Sequence, residues 1–561
     1  MDSRILIAII LSLAAVFAYQ ELVLKRLYPP PGQHAASPQP RPTSMVAAPS
    51  MVPNGLPATA AKPTTAAKAL ESAGATAAPG RTVEVDADLF RATFTTHGGR
   101  LKSFLLKRFR ETSAKNSPPL EMVRTAPGAE LPLGLVVQRA GAMFDDRDVD
   151  YSSDAPSAIE VRPGERSTVT FTAKTADGLS LVKTFTFKAA DYVFDISAEA
   201  TDSTATLDKI GFEYSQPLTP HKGYYDIPKI QAYLNDKAIA DGEKELRKGV
   251  GPMSGSLIYA GFGDRYFLSV LLPAQSANDT LVMDFDGTEA HAQLIFSSAH
   301  ANVLRASSEI YIGPKDLDTL ESVNPKLSSA IELGWTRILA LALLRTLKLF
   351  HRIAPNYGVD IILLTVAIRL LLLPMSIKSQ RSMMRMQRLQ PQVERIREKF
   401  KDDRDRLNRE MVDLYKRNHV NPMGGCAPMA LQLPIFIGLY YALSNAVELR
   451  HAPFVGWIRD LSAPDCLRIP GMPPLPMTEC GGIPVLVLLM GISTFLQQWM
   501  SPQSADPSQQ RMMMLMPIVF TVMLVNFPAG LSLYYLSSNV VGVIQQFVLN
   551  REFKQLSPAN A

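Results

Sequence analysis

The chain has 561 residues, of which 47% are hydrophobic and 19% charged, and its formal net charge is +5. That length would allow three or four soluble domains, but the apolar residues concentrate at the N-terminus and beyond residue 357. Three cysteines are too few for a disulfide scaffold. The uneven distribution of apolar residues favours a membrane protein with a long polar insertion.

Six apolar stretches predict membrane helices: 5–24, 358–377, 423–445, 483–500, 512–527 and 530–549. The first is long for a signal peptide and lacks a clear cleavage site. Residues 1–28 are therefore predicted to be an uncleaved anchor helix rather than a cleaved signal peptide. The last two form one stretch broken at 526–530 (NFPAG). An unbroken helix of that length would be about 60 Å long, twice the hydrocarbon core, so a helical hairpin is predicted.

The positively charged loop between the second and third stretches sets the predicted orientation. Residues 378–417 contain thirteen Lys and Arg against seven Asp and Glu. Such a loop faces the cytoplasm, which places both termini in the cytoplasm and residues 25–357 outside.

The outer segment divides into a tether and a folded domain. Residues 29–81 are rich in Pro, Ala, Ser and Thr, a composition that predicts a flexible tether. Alternation then predicts strands at 82–85, 168–172 and 182–187, separated by turn signals at Gly98-Gly99 and Asp177-Gly178. We expect an all-β sandwich domain over 82–325.

No chemistry is apparent in this domain. Four of its histidines are scattered along the sequence and are interpreted as structural or surface residues: His97, His221, His291 and His300. The chain also lacks a nucleotide-binding loop, a metal-ligand cluster and a nucleophile triad. We therefore expect no enzyme, no cofactor and no metal.

Residues 326–356 follow, and they predict an amphipathic helix lying on the outer membrane surface. One arc of the helix is basic: Arg337, Arg345, Lys348 and Arg352. The other side is apolar: Trp335, Leu339, Leu343, Phe350 and Ile353.

The basic loop, over 378–420, predicts two helices packed as an antiparallel hairpin. Pro391 is expected to kink the first helix or to begin its regular part, and Asp402-Asp403 to begin the second. The positive charge of the hairpin can act only to set the membrane topology. It can also form a docking surface for ribosomal RNA, anionic lipid or a targeting receptor, and both interpretations stay open.

Arg369 is the most informative residue, because it lies in an apolar helix. Insertion there costs roughly 2.5–3.5 kcal/mol. The nearest charges along the helix are Asp360 and Lys378, about 13 Å away, and no Asp or Glu occurs in the core of any later stretch. Arg369 therefore faces a wet cavity or a visiting anion, or it bonds to backbone carbonyls or Gln432.

Several segments resemble the Gram-negative members of the YidC/Oxa/Alb family of membrane insertases along nearly the whole chain. They are 421–426 (NPMGGC), 432–436 (QLPIF), 439–441, 447–450, 452–454, 457–461, 527–535 (FPAGLSLYY), 538–539 and 545–546. The resemblance implies a membrane α-helical bundle: a five-helix insertase core at 357–550, an N-terminal anchor helix and a large all-β periplasmic supersandwich. It also implies a multi-pass protein of the bacterial inner membrane, with residues 551–561 as a short cytoplasmic tail.

The family's groove holds one positive charge, which corresponds to Arg369, and its substrate contacts match Thr365 and Tyr535. Polar Gln432 and Tyr534 join these as groove candidates. The resemblance implies nascent membrane proteins as substrates, with the Sec translocon, the ribosome, a targeting receptor and anionic lipids as partners, and no DNA.

Two features depart from the family pattern. Cys466 and Cys480 lie in an outer loop, where an oxidising periplasm can join them in a disulfide. The tail is short and barely basic, which moves any ribosome contact to the hairpin.

The predicted function is insertion and folding of inner-membrane proteins through a groove carrying Arg369, alone or with the Sec translocon. Two alternatives are a secondary transporter of a small anion and a scaffold of the Sec machinery that inserts nothing. The transporter would be expected to show inverted repeats, which the spans do not show.

Overall fold

The structure, a computed structural model, describes residues 80–125, 128–218, 227–273, 279–419, 427–471, 478, 481–500 and 507–555. The predicted anchor (1–28) and all but the last two residues of the predicted tether (29–81) lie outside these residues.

The strands, numbered in chain order, form three sheets. The five-stranded sheet runs β4 (Pro119–Glu121), β3 (Arg100–Arg110), β2 (Phe90–Thr95), β1 (Thr82–Asp86) and β7 (Ala158–Glu160). The eight-stranded sheet runs β13 (Lys237–Asp241), β12 (Lys229–Leu234), β15 (Leu257–Gly263), β16 (Phe267–Pro273), β19 (Val303–Pro314), β10 (Val193–Asp202), β9 (Leu179–Lys188) and β8 (Arg166–Lys174). The six-stranded sheet runs β14 (Met253–Gly255), β17 (Asp279–Phe285), β18 (Glu289–Ala301), β11 (Leu207–Pro217), β5 (Gly134–Arg139) and β6 (Ala142–Asp145). A short helix, α1 (Glu243–Leu246), interrupts the strands.

The predicted strands are present because their alternation matches the pleat. Along β9 every second side chain is buried, and Phe185 and Phe187 reach the core. The predicted turns also form, with Gly98 at φ 72° and Gly178 at φ 91°, conformations that glycine adopts without a Cβ penalty. The all-β domain is therefore confirmed.

Lys183 occupies one of the inward positions of β9 and is fully buried. Its Nζ donates to Asp146 Oδ2 at 2.7 Å and to the carbonyls of Gly98 and Leu133 at 2.9 and 3.0 Å. Burial lowers the pKa of Lys183, and the Asp146 carboxylate opposes that shift. This ion pair ties β9 to loops of the other two sheets.

The predicted single helix over 326–356 begins later than expected. Helix α2 (Leu317–Val323) is followed by 3₁₀ turns at Pro325–Ala330 and Gly334–Thr336, and helix α3 then spans Arg337–His351. The early part cannot be α-helical because Pro325 and Gly334, the latter at φ 57°, divide it into short turns. The apolar side chains Trp335, Ile338 and Ile353 are exposed, so the membrane-surface position stays a prediction.

Basic residues of α3 form ion pairs with acidic residues elsewhere in the chain. Lys348 Nζ lies 2.7 Å from Asp316, 3.0 Å from Asp318 and 3.0 Å from Glu448. It therefore joins three parts of the chain: the start of α2, α3, and the turn after the second predicted core span. Arg345 pairs with Glu321 of α2 at 3.2 Å.

Helix α4 (Tyr357–Arg388) runs eleven residues past the predicted end of its span, and Pro374 lies inside it. The hairpin follows as α5 (Gln390–Lys399) and α6 (Arg404–Arg417). Pro391 lies in the first turn of α5, and the Asp403 carboxylate caps α6 by accepting from the Arg406 amide at 3.0 Å. Both predicted starts are confirmed.

The last four helices are α7 (Ala427–Asn445), α8 (Val485–Met500), α9 (Pro507–Met523) and α10 (Ala529–Gln555). The break at 526–530 separates α9 from α10, as predicted. Helix α10 continues to Gln555, so the first residues of the predicted tail (551–561) are helical. Among the described residues one helix, α4, is long and apolar enough to cross a membrane by length and composition, and the five-span count stays a prediction.

Candidate functional site

Arg369 projects from α4 towards α10. The side chain is half-buried, and its Nε–H donates to Ser538 Oγ at 2.8 Å. Seven residues, or about two turns, further along both helices, Gln545 Nε2 donates to Ser376 Oγ at 2.9 Å. Within the part of the chain that the structure describes, no carboxylate forms an ion pair with Arg369.

Helix α10 is the hub of this site. Its interior arc, about 140° wide at 100° per residue, carries polar residues that form hydrogen bonds with three neighbouring helices, α4, α7 and α8. Tyr534 OH accepts from Gln432 Nε2 of α7 at 3.0 Å. Asn539 Nδ2 donates to Ser493 and Thr494 of α8 at 3.0 and 2.8 Å.

The opposite side of α10 is apolar and exposed, and it carries Val540, Ile544, Phe547 and Val548. A helix that is polar towards its neighbours and apolar outward suits a lipid environment, where interhelical hydrogen bonds and close packing hold helices together. The polar residues that the sequence scattered over several spans thus gather along one side of α10.

Tyr535 is held by aromatic neighbours. Its ring centroid lies 5.2 Å from that of Phe436 on α7 and 5.3 Å from that of Phe520 on α9. The edge-to-face geometry of both pairs is favourable for aromatic rings. Tyr535 remains half-buried, so part of its side chain is exposed.

Gly542 lies beside Arg369, and the sequence analysis did not single it out. It is buried one turn after Ser538, and a Cβ built there would lie 2.4 Å from Gln497 Nε2 and 3.6 Å from Arg369 Nη2. The missing side chain therefore makes room for the Gln497 amide beside the guanidinium. The signal was present: Ser538, Gly542 and Gln545 recur at i, i+4 and i+7, and small residues mark close helix approach in membranes.

Two predicted contact residues are buried in this structure. Thr365 is 0% exposed and its hydroxyl donates back to the Ile361 carbonyl at 2.7 Å, while Tyr534 is 1% exposed. Contact of either residue with a substrate therefore stays a prediction. Arg369, Gln432 and Tyr535 are the predicted residues that keep exposed surface.

Nη1 and Nη2 of Arg369 form no hydrogen bond with any described residue. A guanidinium binds a carboxylate with two parallel charge-assisted hydrogen bonds, and such bonds are stronger where water is scarce. With Nε fixed by Ser538, the two terminal nitrogens can receive an acidic group that arrives from elsewhere.

Cys466 is disulfide-bonded. Its predicted partner, Cys480, lies outside the described residues, so the pairing of these two cysteines stays a prediction. The loop that holds Cys466 is anchored at Asp465, which accepts from Trp457 Nε1 at 2.7 Å.

The structure combines an all-β domain with helices that join one another through polar side chains and expose apolar ones. This combination is typical of a membrane protein with a large extramembrane domain. Residues 82–345 match the family model for the YidC periplasmic domain, and residues 349–556 match the model for the 60Kd inner membrane protein. The chain belongs to the YidC family of membrane protein insertases. It is accordingly an inner-membrane protein with a periplasmic β domain.

Two relatives illustrate the similarity. Membrane protein insertase YidC of Geobacter sulfurreducens is 35% identical over 482 residues, which cover 83% of this chain and 85% of that protein. The protein of the same name from Geotalea uraniireducens is 34% identical over 98% of this chain and 99% of its own. A crystal structure of an active YidC insertase with its first transmembrane domain resolved aligns at a TM-score of 0.35 and 16% identity, covering 83% of this chain and 93% of that one.

Proposed function

We propose that this chain inserts membrane proteins through the groove between α4, α7 and α10, with Arg369 as the group that receives the polar flank of the substrate. One observation carries the proposal: Arg369 lies in an apolar helix, is fixed at Nε by Ser538, and has no ion-pair partner among the described residues. A charge retained at such a cost is normally functional.

The mechanism is facilitated partitioning without a chemical step. The groove gives the polar flank of a substrate hairpin a route with less desolvation than bare lipid, and an acidic group in that flank pairs transiently with Arg369. The apolar segment of the substrate then moves sideways into lipid. Hydrophobic partitioning and the membrane potential, about 2.3 kcal/mol per charge per 100 mV, supply the free energy.

The proposed topology has five core spans, an N-terminal anchor and both termini in the cytoplasm. The excess of basic residues over 378–417 supports it, because α4 to α6 carry this charge immediately beyond the span that holds Arg369. The same surface of α5 and α6 is the proposed docking site for the ribosome, a targeting receptor or anionic lipids. We propose the Sec translocon as a further partner for longer substrates.

The test is reconstitution of the full chain, as the only protein, in liposomes. A short membrane protein with an acidic translocated tail should insert; Arg369→Ala should reduce insertion at least tenfold, and Arg369→Lys should retain it because the charge is kept. The matched control is the same substrate with its tail acids changed to amides, for which Arg369→Ala should make little difference.

Equal insertion by the wild type and the Arg369→Ala variant would remove the groove charge from the mechanism. Uptake of a small anion without insertion would favour the transporter, and neither activity would favour the scaffold.

A further inference from the structure

The inference concerns the periplasmic β domain, where His291 lies among polar side chains that are far apart in the sequence. His291 on β18 lies directly opposite Ser215 on β11, and Gln293 lies opposite Glu213. Because alternate residues of a strand share a face, these four polar side chains form one block on the six-stranded sheet. Glu130, from the loop before β5, places its carboxylate next to His291.

Three potential ligand groups converge there. His291 Nδ1 is 3.3 Å from Glu213 Oε1 and 3.8 Å from Glu130 Oε2, and one ligand atom from each residue lies within 4.8 Å of the others. The Ser215 hydroxyl is 3.0 Å from the same Nδ1. Ligands bound tetrahedrally at 2.0–2.1 Å lie roughly 3.4 Å apart, which is close to the two distances from His291 Nδ1 to the glutamates.

Two buried carboxylate oxygens of this cluster have no hydrogen-bond donor in the described part of the chain. Glu213 is 2% exposed, yet its Oε2 has no hydrogen-bond partner among the described residues. Glu289 is 5% exposed; its Oε2 accepts from the Glu130 amide at 3.1 Å, and its Oε1 has no such partner. A buried carboxylate oxygen without a donor costs free energy, and a cation removes that cost.

The charges linked to the block are also unbalanced. Five carboxylates are connected by ion pairs: Glu130, Glu213, Asp145, Asp146 and Asp286. Three permanent cations face them: Arg100, Arg147 and Lys183. With Glu289 included, the carboxylates exceed these cations by three when His291 is neutral and by two when it is protonated, so a bound divalent ion would reduce the excess negative charge.

The neighbouring arginines are compatible with a metal. Arg100 binds Glu130 through Oε1 at 2.6 Å, which leaves Oε2 as the ligand atom, and an arginine on the second oxygen orients such a carboxylate. Arg147 approaches Oε2 at 2.9 Å, but it also binds Asp145 at 2.7 Å and is about half exposed, so it can release Glu130 without losing its partner.

We infer that Glu130, Glu213 and His291 form a binding site for a divalent metal ion of the zinc class. One imidazole nitrogen with two carboxylate oxygens is a donor set that suits zinc, and a water or the Ser215 hydroxyl completes four-fold coordination. The site joins β11, β18 and the loop before β5, so its role is to stabilise this face of the domain. It is independent of the groove and of the insertion mechanism.

The experiment uses tag-free full chain in detergent, treated with EDTA, then equilibrated with Zn²⁺ and freed of unbound metal. Elemental analysis should find about one zinc per chain, and added zinc should raise Tm in a way that EDTA reverses. His291→Ala and the near-isosteric Glu213→Gln should each lower the zinc content below about 0.1 per chain and abolish the Tm rise.

His300→Ala is the matched control, since His300 is an exposed histidine of the same strand that pairs with Asp208 at 2.6 Å. It should keep its zinc. The inference is overturned if the wild type retains no zinc, if Glu213→Gln retains as much as the wild type, or if His300→Ala loses it equally. Retention of Ca²⁺ or Mg²⁺ in preference to zinc would overturn the assignment of the ion.

Discussion

Arg369 and Ser538 lie on different helices, and the Arg369 Nε–H donates to Ser538 Oγ at 2.8 Å. The bond uses the edge of the guanidinium nearest its own chain. It therefore fixes the direction of the side chain while leaving Nη1 and Nη2 for a visiting carboxylate. We expect Ser538 to position the proposed groove charge, and variants can separate this role from one in which the residue only packs the helices together.

Ser538→Ala should lower insertion of an acid-tailed substrate about three- to tenfold, because one interhelical hydrogen bond in a membrane is worth about 0.6–1.4 kcal/mol. Ser538→Thr should restore insertion, since it keeps the hydroxyl. The measurement is the reconstituted insertion assay, run beside the same substrate with a neutral tail, for which the Ser538→Ala loss should disappear.

Ser537→Ala is the control for that experiment, as Ser537 is the preceding hydroxyl on the same helix and half-buried. An equal loss in Ser537→Ala, or a loss in Ser538→Ala that is the same for acidic and neutral tails, would show that α10 packing rather than the orientation of Arg369 is affected.

Gly542→Ala should reduce insertion without reducing stability. A Cβ at 2.4 Å from Gln497 Nε2 forces that amide to move within the space beside Arg369, while the 3.6 Å approach to Nη2 is an ordinary contact. Alanine is the better helix former by about 1 kcal/mol, so Tm should stay level or rise. Val540→Ala, at an exposed position of α10, should leave insertion unchanged. A fall in both Tm and insertion for Gly542→Ala would indicate simple overpacking.

Local signals in the sequence predicted local features of the fold. The predicted break at 526–530 falls where one helix has ended and α10 begins, Pro391 lies in the first turn of α5, and Asp403 caps α6. Each of these depends on backbone chemistry within a few residues, and alternation likewise predicted β9. The 3₁₀ turns before α3 were missed because the apolar and basic spacing continues through them although Pro325 and Gly334 interrupt the helix.

Long-range partners could not be predicted in the same way. The bond between Arg369 and Ser538 joins positions 169 residues apart, and a 3.6-residue period defines the face of a helix but not its neighbour. The spacing of histidines likewise could not place His291 opposite Ser215, because that depends on the register of β11 against β18. The sequence identified Arg369 as a costly charge in an apolar helix, and the arrangement of the helices shows which residue orients it.

The contact of Lys348 with Asp316 predicts an acid-sensitive link between the β domain and the helices. Burial raises the pKa of Asp316, but hydrogen bonds from Lys348 and from the Thr319 amide outweigh burial and lower it to about 2, below the ordinary value of 3.8. A carboxyl group whose pKa is lower in the folded state stabilises the fold above its unfolded pKa and loses that contribution as pH falls through the folded value. The contribution is about 2 kcal/mol above pH 4 and disappears between about pH 4 and pH 2.

Asp316→Asn isolates this charge, because asparagine can still cap α2 by accepting from the Thr319 amide. Its Tm should lie below that of the wild type at pH 7, and the difference should shrink as pH falls below 4. Asp318→Asn is the control: Asp318 contacts the same Lys348 nitrogen at 3.0 Å but is mostly exposed, so its loss should matter little at any pH. If the Tm difference for Asp316→Asn did not change between pH 7 and pH 3, the ion pair with Lys348 would not be its source, because a neutral capping defect does not titrate in this range.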